Sequence, residues 1–279
     1  MLVNLALSKI RITNNSSRFA TRGSLGLQWV LRLWRNAVAF VLRCSLLNWA
    51  LCLWRQSVLI HFTGEFENLV SILESNSFLV RYCGEYFGDN TGKVISRAAH
   101  PMVSFSDYSH EELSTKKVTY GGYGVALHKT WAIENKLSPV NYVEKNSPVA
   151  QGLVSLLQAR QRGKLPSNLR LSVIQLKCFT KHVYGYNSHF RTDNFDFKAE
   201  NEWRFVPSVK QIGGNRISEN YSTYKKFEDK YNRRLEPYAL KFVNKDIKYV
   251  YVQNETEKEH LVKSLGLSST QVKLAEWKQ

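Results

Sequence analysis

The stretch Lys198-Ala199-Glu200-Asn201-Glu202-Trp203-Arg204-Phe205-Val206-Pro207 decides how the chain is read. Residues 202–206 loosely alternate polar and apolar side chains, are rich in strand formers, and stop at Pro207, which predicts a short β-strand running into a turn. Side chains two apart on a strand share a face, so Glu200 and Glu202 are expected together, with Arg204 next along. Two readings of that face stand side by side. One is a solvated edge strand with an internal Glu–Arg pair. The other is a catalytic carboxylate, which needs partners elsewhere in the chain.

Upstream, Val58 to Thr63 reads as a buried strand, followed after Gly64 by a helix from about Glu65 to Ser75 with Phe66, Leu69, Val70, Ile72 and Leu73 on its apolar side. Phe78 to Tyr82 fits a short strand or extended turn, and residues 84–100, punctuated by Gly84, Gly88, Asn90 and Gly92, read as a loop. Met102 to Ser106 is a second clear strand, with Asp107 or Ser109 placed to cap a helix running to about Lys117. Tyr120-Gly121-Gly122-Tyr123-Gly124 predicts a tight turn into a strand at 125–128, and its spacing is not that of a phosphate loop. Helices are expected at 130–136 and 149–162 around a strand near 140–143, and the apolar run 169–179 reads as a strand. Downstream come a charged helix or loop at 221–234, strands at 238–243 and 247–252, a helix capped by Asn254, and a last strand at 272–274. Strands and helices mix without regular βαβ alternation, so the fold class is α+β.

The chain has 279 residues, 43% apolar and 13% aromatic, enough to bury a core and to exclude disorder throughout. Its formal charge of +16 favours polyanions such as nucleic acid, anionic lipid or a dinucleotide. The first 64 residues contain no Asp or Glu, and their eight Lys and Arg residues account for half of that net charge. We divide the chain into a basic N-terminal extension, 1–57, and a single domain, 58–279. Residues 25–57 combine Trp and Leu with Arg32, Arg35, Arg43 and Arg55, but no uncharged run is long enough for a spanning helix. The extension therefore suits a helix lying on an anionic membrane surface, an organelle transit peptide, or incidental translation from an upstream start codon. Cys44, Cys52, Cys83 and Cys178 are widely spaced, with no zinc-type cluster, which fits a reducing cytoplasm and no metal site.

Three pieces stand in one order: His61-Phe62-Thr63 before Asn68-Leu69-x-x-Ile72-Leu73, then Met102-Val103-Ser104-Phe105-Ser106-Asp107, then Asn201-Glu202-Trp203. This order resembles the ADP-ribosyltransferases of the poly(ADP-ribose) polymerase and DarT type, although Phe62 stands where that group has a small residue. Over about Ile60 to Pro207 the chain more closely resembles the AbiGi family of bacterial abortive-infection proteins, through those pieces together with Arg81-Tyr82-Cys83, Tyr120-Gly121-Gly122-Tyr123-Gly124, Trp131, Pro139-Val140-x-Tyr142 and Glu200-x-Glu202-Trp203-Arg204. The resemblances imply an ADP-ribosyltransferase-like split mixed sheet with flanking helices, and a role in phage defence. They leave two functions open: transfer of ADP-ribose from NAD to a macromolecule, or a non-enzymatic antitoxin that engages a toxin, a phage protein or nucleic acid.

Under the enzymatic reading, a carboxylate bonded to the ribose 2-hydroxyl stabilises the oxocarbenium-like centre formed when the nicotinamide bond breaks. Glu202 takes that role, and Glu200 would orient or deprotonate the acceptor. By resemblance, His61 binds the adenine-side ribose, Thr63 helps hold nicotinamide or ribose, and Tyr108, Tyr120 or Tyr123 stacks on nicotinamide. Each residue also has a plain structural use: His61 as a satisfied histidine at a strand end, Thr63 as a helix cap, the tyrosines as core or surface rings. His182, Tyr184, Tyr186, His189 and Arg191 form an aromatic, basic stretch that suits either nucleic-acid stacking or an ordinary loop.

Overall fold

A computed structural model describes residues 58–118, 120–187 and 190–277. The proposed extension and its membrane-surface reading lie outside them. Among the described residues no helix is long and apolar enough to cross a membrane.

The class is α+β, and the centre is a nine-stranded mixed sheet in the order β15 (Val272–Leu274), β14 (Ile247–Val252), β5 (Tyr123–His128), β1 (Val58–Thr63), β4 (Val94–Ser106), β11 (Glu202–Phe205), β6 (Ser138–Pro139), with β3 (Arg81–Gly88) and β12 (Glu219–Asn220) also paired to β4. β1 (Val58–Thr63) pairs antiparallel with β4 (Val94–Ser106) and with β5 (Tyr123–His128). Its alternation is what a two-sided sheet requires. Val58, Ile60 and Phe62 pack with Ala126, Tyr251 and Trp277. Leu59 belongs to the larger core on the other side, with Phe105, Val125, Trp131 and Val250. Period-two geometry therefore puts His61 and Thr63 on the side of Leu59. Each fully buried aliphatic side chain here contributes roughly 1.5–3 kcal/mol.

α1 (Phe66–Ser75) covers that larger core with Leu69 and Leu73, and stops at Asn76, whose left-handed backbone lets its N–H reach the carbonyls of Ile72 and Leu73. Along β4, the first half pairs with β3 (Arg81–Gly88) and the last residues pair with β1 and β11 (Glu202–Phe205). β14 (Ile247–Val252) and β15 (Val272–Leu274) add a parallel pair, bridged by a helix at 255–265 whose cap, Asn254, accepts from the Glu257 N–H. The remaining helices are α2 (Lys129–Glu134), α3 (Pro148–Gln161), α4 (Ser167–Cys178), α5 (Tyr221–Lys226) and α6 (Glu228–Arg233), which makes the helix at 255–265 α7.

Several expectations need correction. Residues 84–100 are not a loop but most of the β3–β4 hairpin; only its tip turns, where Asp89 accepts from Thr91 and Lys93. Gly84 is in the strand because a Cβ there would lie 2.2 Å from the Tyr221 ring. The helix after Asp107 is reduced to a 3-10 turn, Leu113–Thr115. Asp107 instead pairs with Lys129, and its backbone exchanges hydrogen bonds with Asn201. The stretch 169–179 is not a strand, since residues 169–178 form most of α4: Val173, Ile174, Lys177 and Cys178 bury one helical face, and the polar Lys177 masks that period in the sequence.

Candidate functional site

β11 lies between β4 and β6 (Ser138–Pro139), so it is not a solvated edge. Only Glu202 and Arg204 are on the strand. Glu200 closes a 3-10 turn, Phe197–Glu200, and Asn201 adopts a left-handed φ of 44°, which breaks the alternation expected from the sequence. The two carboxylates meet for another reason: Lys181 Nζ lies 2.9 Å from Glu200 Oε2 and 3.5 Å from Glu202 Oε2.

Around them is a cavity of about 1090 Å³ whose lining includes His61, Thr63, Tyr120, Glu200, Glu202 and Arg204. Ser104 faces Arg204 across the β4–β11 ladder. Its hydroxyl donates to Glu202 Oε1 at 2.7 Å. Arg204 is 1% exposed and holds the same carboxylate with two bonds, Nε to Oε1 at 2.8 Å and Nη2 to Oε2 at 2.9 Å. Nη2 also reaches Glu85 Oε1 at 2.8 Å, and Nη1 donates to the Cys178 carbonyl at 2.6 Å. The Glu202 N–H donates to the Tyr142 hydroxyl at 3.0 Å.

The three tyrosines separate. The Tyr120 hydroxyl donates to Glu200 Oε1 at 3.0 Å, although 51% of the residue is exposed. Tyr108 is buried with Val58, Ile60 and Phe62 and donates to the Ala199 carbonyl; Tyr123 is buried and donates to Glu257 Oε1 at 2.9 Å. Neither lines the cavity. Tyr120 reaches it because Gly121, at φ +118°, lets its loop close on the end of β1; a Cβ there would lie 2.3 Å from the Thr63 carbonyl oxygen. His61 packs against Phe78 and Phe105. Its Nδ1 is 2.9 Å from the Ser104 carbonyl, which can only accept, so Nε2 is left as an acceptor.

Charge is distributed unevenly. Burial would raise the Glu202 pKa, but Arg204 and then Lys181, with the hydrogen bonds from Arg204 and Ser104, hold it at about 2. Glu200 goes the other way: burial raises it, against the pull of Lys181. Lys181 is raised despite the opposing effect of burial, because Glu202 and Glu200 favour its charge. Burial lowers His61, with the Ser104 contact opposing. At neutral pH Glu202, Lys181 and Arg204 are therefore held in their charged forms beside an imidazole whose neutral form burial favours.

Lys181 and Glu85 were not singled out in the sequence. Glu85 was hidden in the supposed loop, and Lys181 follows a helix read as a strand. Of the aromatic, basic stretch, Tyr184 and Tyr186 are exposed and line the cavity. His182 stacks on Phe87 and contacts the Gly88 carbonyl, Arg191 has a left-handed φ of 50°, and His189 is outside the described residues.

Fold and site thus define an α+β protein with an aromatic-walled cavity over a buried, ion-paired floor. Residues 76–253 match the family of the abortive phage resistance protein AbiGi, described as an antitoxin, and the chain belongs to that family. β1, with His61 and Thr63, precedes the matched residues. No curated protein and no solved structure matches the chain.

Proposed function

We infer that this chain serves phage defence as an antitoxin that binds a cognate toxin, and that it does not transfer ADP-ribose. The observation that carries this reading is the occupation of Glu202. A carboxylate accepts about four hydrogen bonds. Here Oε1 takes Arg204 Nε and Ser104 Oγ, while Oε2 takes Arg204 Nη2 and faces Lys181. Three of the four positions are filled at hydrogen-bond distance and the fourth, on Oε2, faces Lys181 at 3.5 Å, so a ribose 2-hydroxyl, the contact through which such a carboxylate would act on an oxocarbenium-like centre, would have to compete with that cation. A carboxylate held this way is a structural anion. The antitoxin description of the family supports the same reading. Co-expression with the product of each adjacent reading frame tests it: a product that arrests growth alone is expected to be neutralised by, and to copurify with, this chain. Growth arrest that persists in the presence of folded chain refutes it.

One observation favours a second reading. His61, Thr63, Tyr120, Glu200 and Glu202 all line one cavity large enough for a dinucleotide. If NAD bound there, Tyr120 would stack on nicotinamide, His61 would meet the adenine-side ribose, and Glu200 would face the acceptor, protein or nucleic acid. This chemistry requires Lys181 or Ser104 to leave Glu202. Release of nicotinamide from NAD by the wild type, lost in Glu202→Gln, is its test.

A further inference from the structure

The hairpin of α3 and α4 has a composition unlike the rest of the described domain. From Lys145 to Thr192 the sequence contains no Asp or Glu, while Arg160, Arg162, Lys164 and Arg170 lie on the hairpin. Arg162, Lys164 and Arg170 are exposed, and among the described residues none of the four has a carboxylate at ion-pair distance. Arg170 donates to the Leu165 and Gly163 carbonyls, and Arg160 Nε has no hydrogen-bond partner. The hairpin therefore presents positive charge that no carboxylate among the described residues pairs with.

The same helices expose large apolar side chains. α3 buries Ala150, Leu153, Val154 and Leu157, yet Val149 is 64% and Leu156 38% exposed. α4 buries Val173, Ile174 and Cys178, yet Leu169 is 46% and Leu176 55% exposed. Within each helix the exposed pair is seven residues apart, which keeps both members on one side over two turns and repeats at roughly 10.5 Å. Exposed leucines beside unpaired cations mark a surface that gains by being covered with something apolar and negative.

We propose that the outer surface of the α3–α4 hairpin docks a leucine-bearing, acidic helix of a partner protein. Residues 148–178 contain no Phe, Trp or Tyr. Single-stranded nucleic acid stacks on such rings, and a membrane-surface helix carries Lys and Arg along the length of its polar face, whereas the four cations here gather at 160–170, about the turn, with none at 148–159 or 171–176, so a protein helix is the occupant that fits. Seven-residue leucine spacing is also what a helix lying along a groove reads. The proposal rests on the antitoxin reading for the partner's identity, the toxin, but not for the surface itself.

The probe is a synthetic amphipathic helix with leucines every seven residues flanked by glutamates, titrated into the full chain and followed by fluorescence anisotropy. Wild type is expected to bind it, with affinity falling about tenfold in Leu169→Glu/Leu176→Glu and by a similar factor in Arg162→Glu/Lys164→Glu. The second variant changes only exposed positions, so loss of binding there is not loss of fold. Equal binding by wild type and both variants overturns the proposal. So does sedimentation with phosphatidylglycerol vesicles that depends on Leu169 and Leu176 in a chain that ignores the peptide. In the growth-arrest assay, variants that neutralise toxin as wild type does refute the docking surface and leave the antitoxin reading standing. A wild type that binds the peptide and relieves no arrest refutes the antitoxin reading and leaves the surface standing.

Discussion

Two cations lie almost fully buried on the same side of this domain, and they are treated in opposite ways. Arg204, 1% exposed, is surrounded by the carboxylates of Glu202 and Glu85, which raise its pKa against the effect of burial. Lys177, 2% exposed, contacts His100 Nε2 at 2.9 Å and the Glu85 carbonyl at 3.1 Å, both uncharged acceptors. Burial pushes its pKa down to about 8. His100 is in turn pushed to about 3, by burial and then by Lys177, and its Nδ1 is bound to the Ile217 carbonyl. Desolvation is similar at the two sites; the supply of carboxylate oxygens differs. A buried charge persists where an opposite charge is bonded directly to it, and is weakened where its direct contacts are dipoles and a carboxylate, here Glu85, acts without a direct bond.

The largest effect should come from Arg204→Met. It leaves Glu202 and Glu85 without their main counter-charge, and should cost about 3–5 kcal/mol in chemical denaturation. Lys177→Met strands only neutral acceptors, and should cost about 1–3 kcal/mol. Equal losses would break the contrast.

The contrast sharpens with pH. The folded-state pKa of Lys177, about 8, is below its ordinary 10.5, so between these values the unfolded chain binds more protons and stability rises with pH. Lys177→Met should remove that rise, as read from unfolding free energies between pH 7 and 11. On the acid side, Glu202 at about 2 stabilises the fold above its ordinary 4.5, and this contribution is lost as pH falls toward 2. His100 at about 3 costs stability as pH falls from 6.5 toward 3, because the unfolded imidazole protonates first. His100→Gln should flatten the limb from pH 6.5 to 4.5, where Glu202 contributes little. The smallest effect belongs to Tyr120→Phe, which removes one donor from Glu200 and should cost about 0.5–1.5 kcal/mol.

How much of this was legible in the sequence follows from where each signal is carried. β1 and the last helix were readable because their signals are local: a short apolar run from Val58 ending in polar residues at Thr63, and Asn254 placed to cap the helix that follows it. The gathering of His61 and Glu202 at one cavity was readable from motif order. The cluster that decides their chemistry was not. Arg204 pairs with Glu85 across 119 residues, and Lys181 joins Glu200 to Glu202 from a short strand, Thr180–His182, just after the helix that periodicity misassigned. α4 was misread because Lys177 occupies a core position that a hydrophobic count scores as surface. The choice among Tyr108, Tyr120 and Tyr123 depended on the close approach of Gly121 to Thr63, a tertiary contact no local pattern encodes.

Side-by-side measurement of nicotinamide release from NAD and of thermal unfolding, on wild type and Glu202→Gln, tests the central claim that Glu202 is a structural anion. We expect no release by wild type, and a melting temperature several degrees lower in the variant. Release by wild type that disappears in a variant of unchanged melting temperature would contradict the account and make Glu202 a catalytic group.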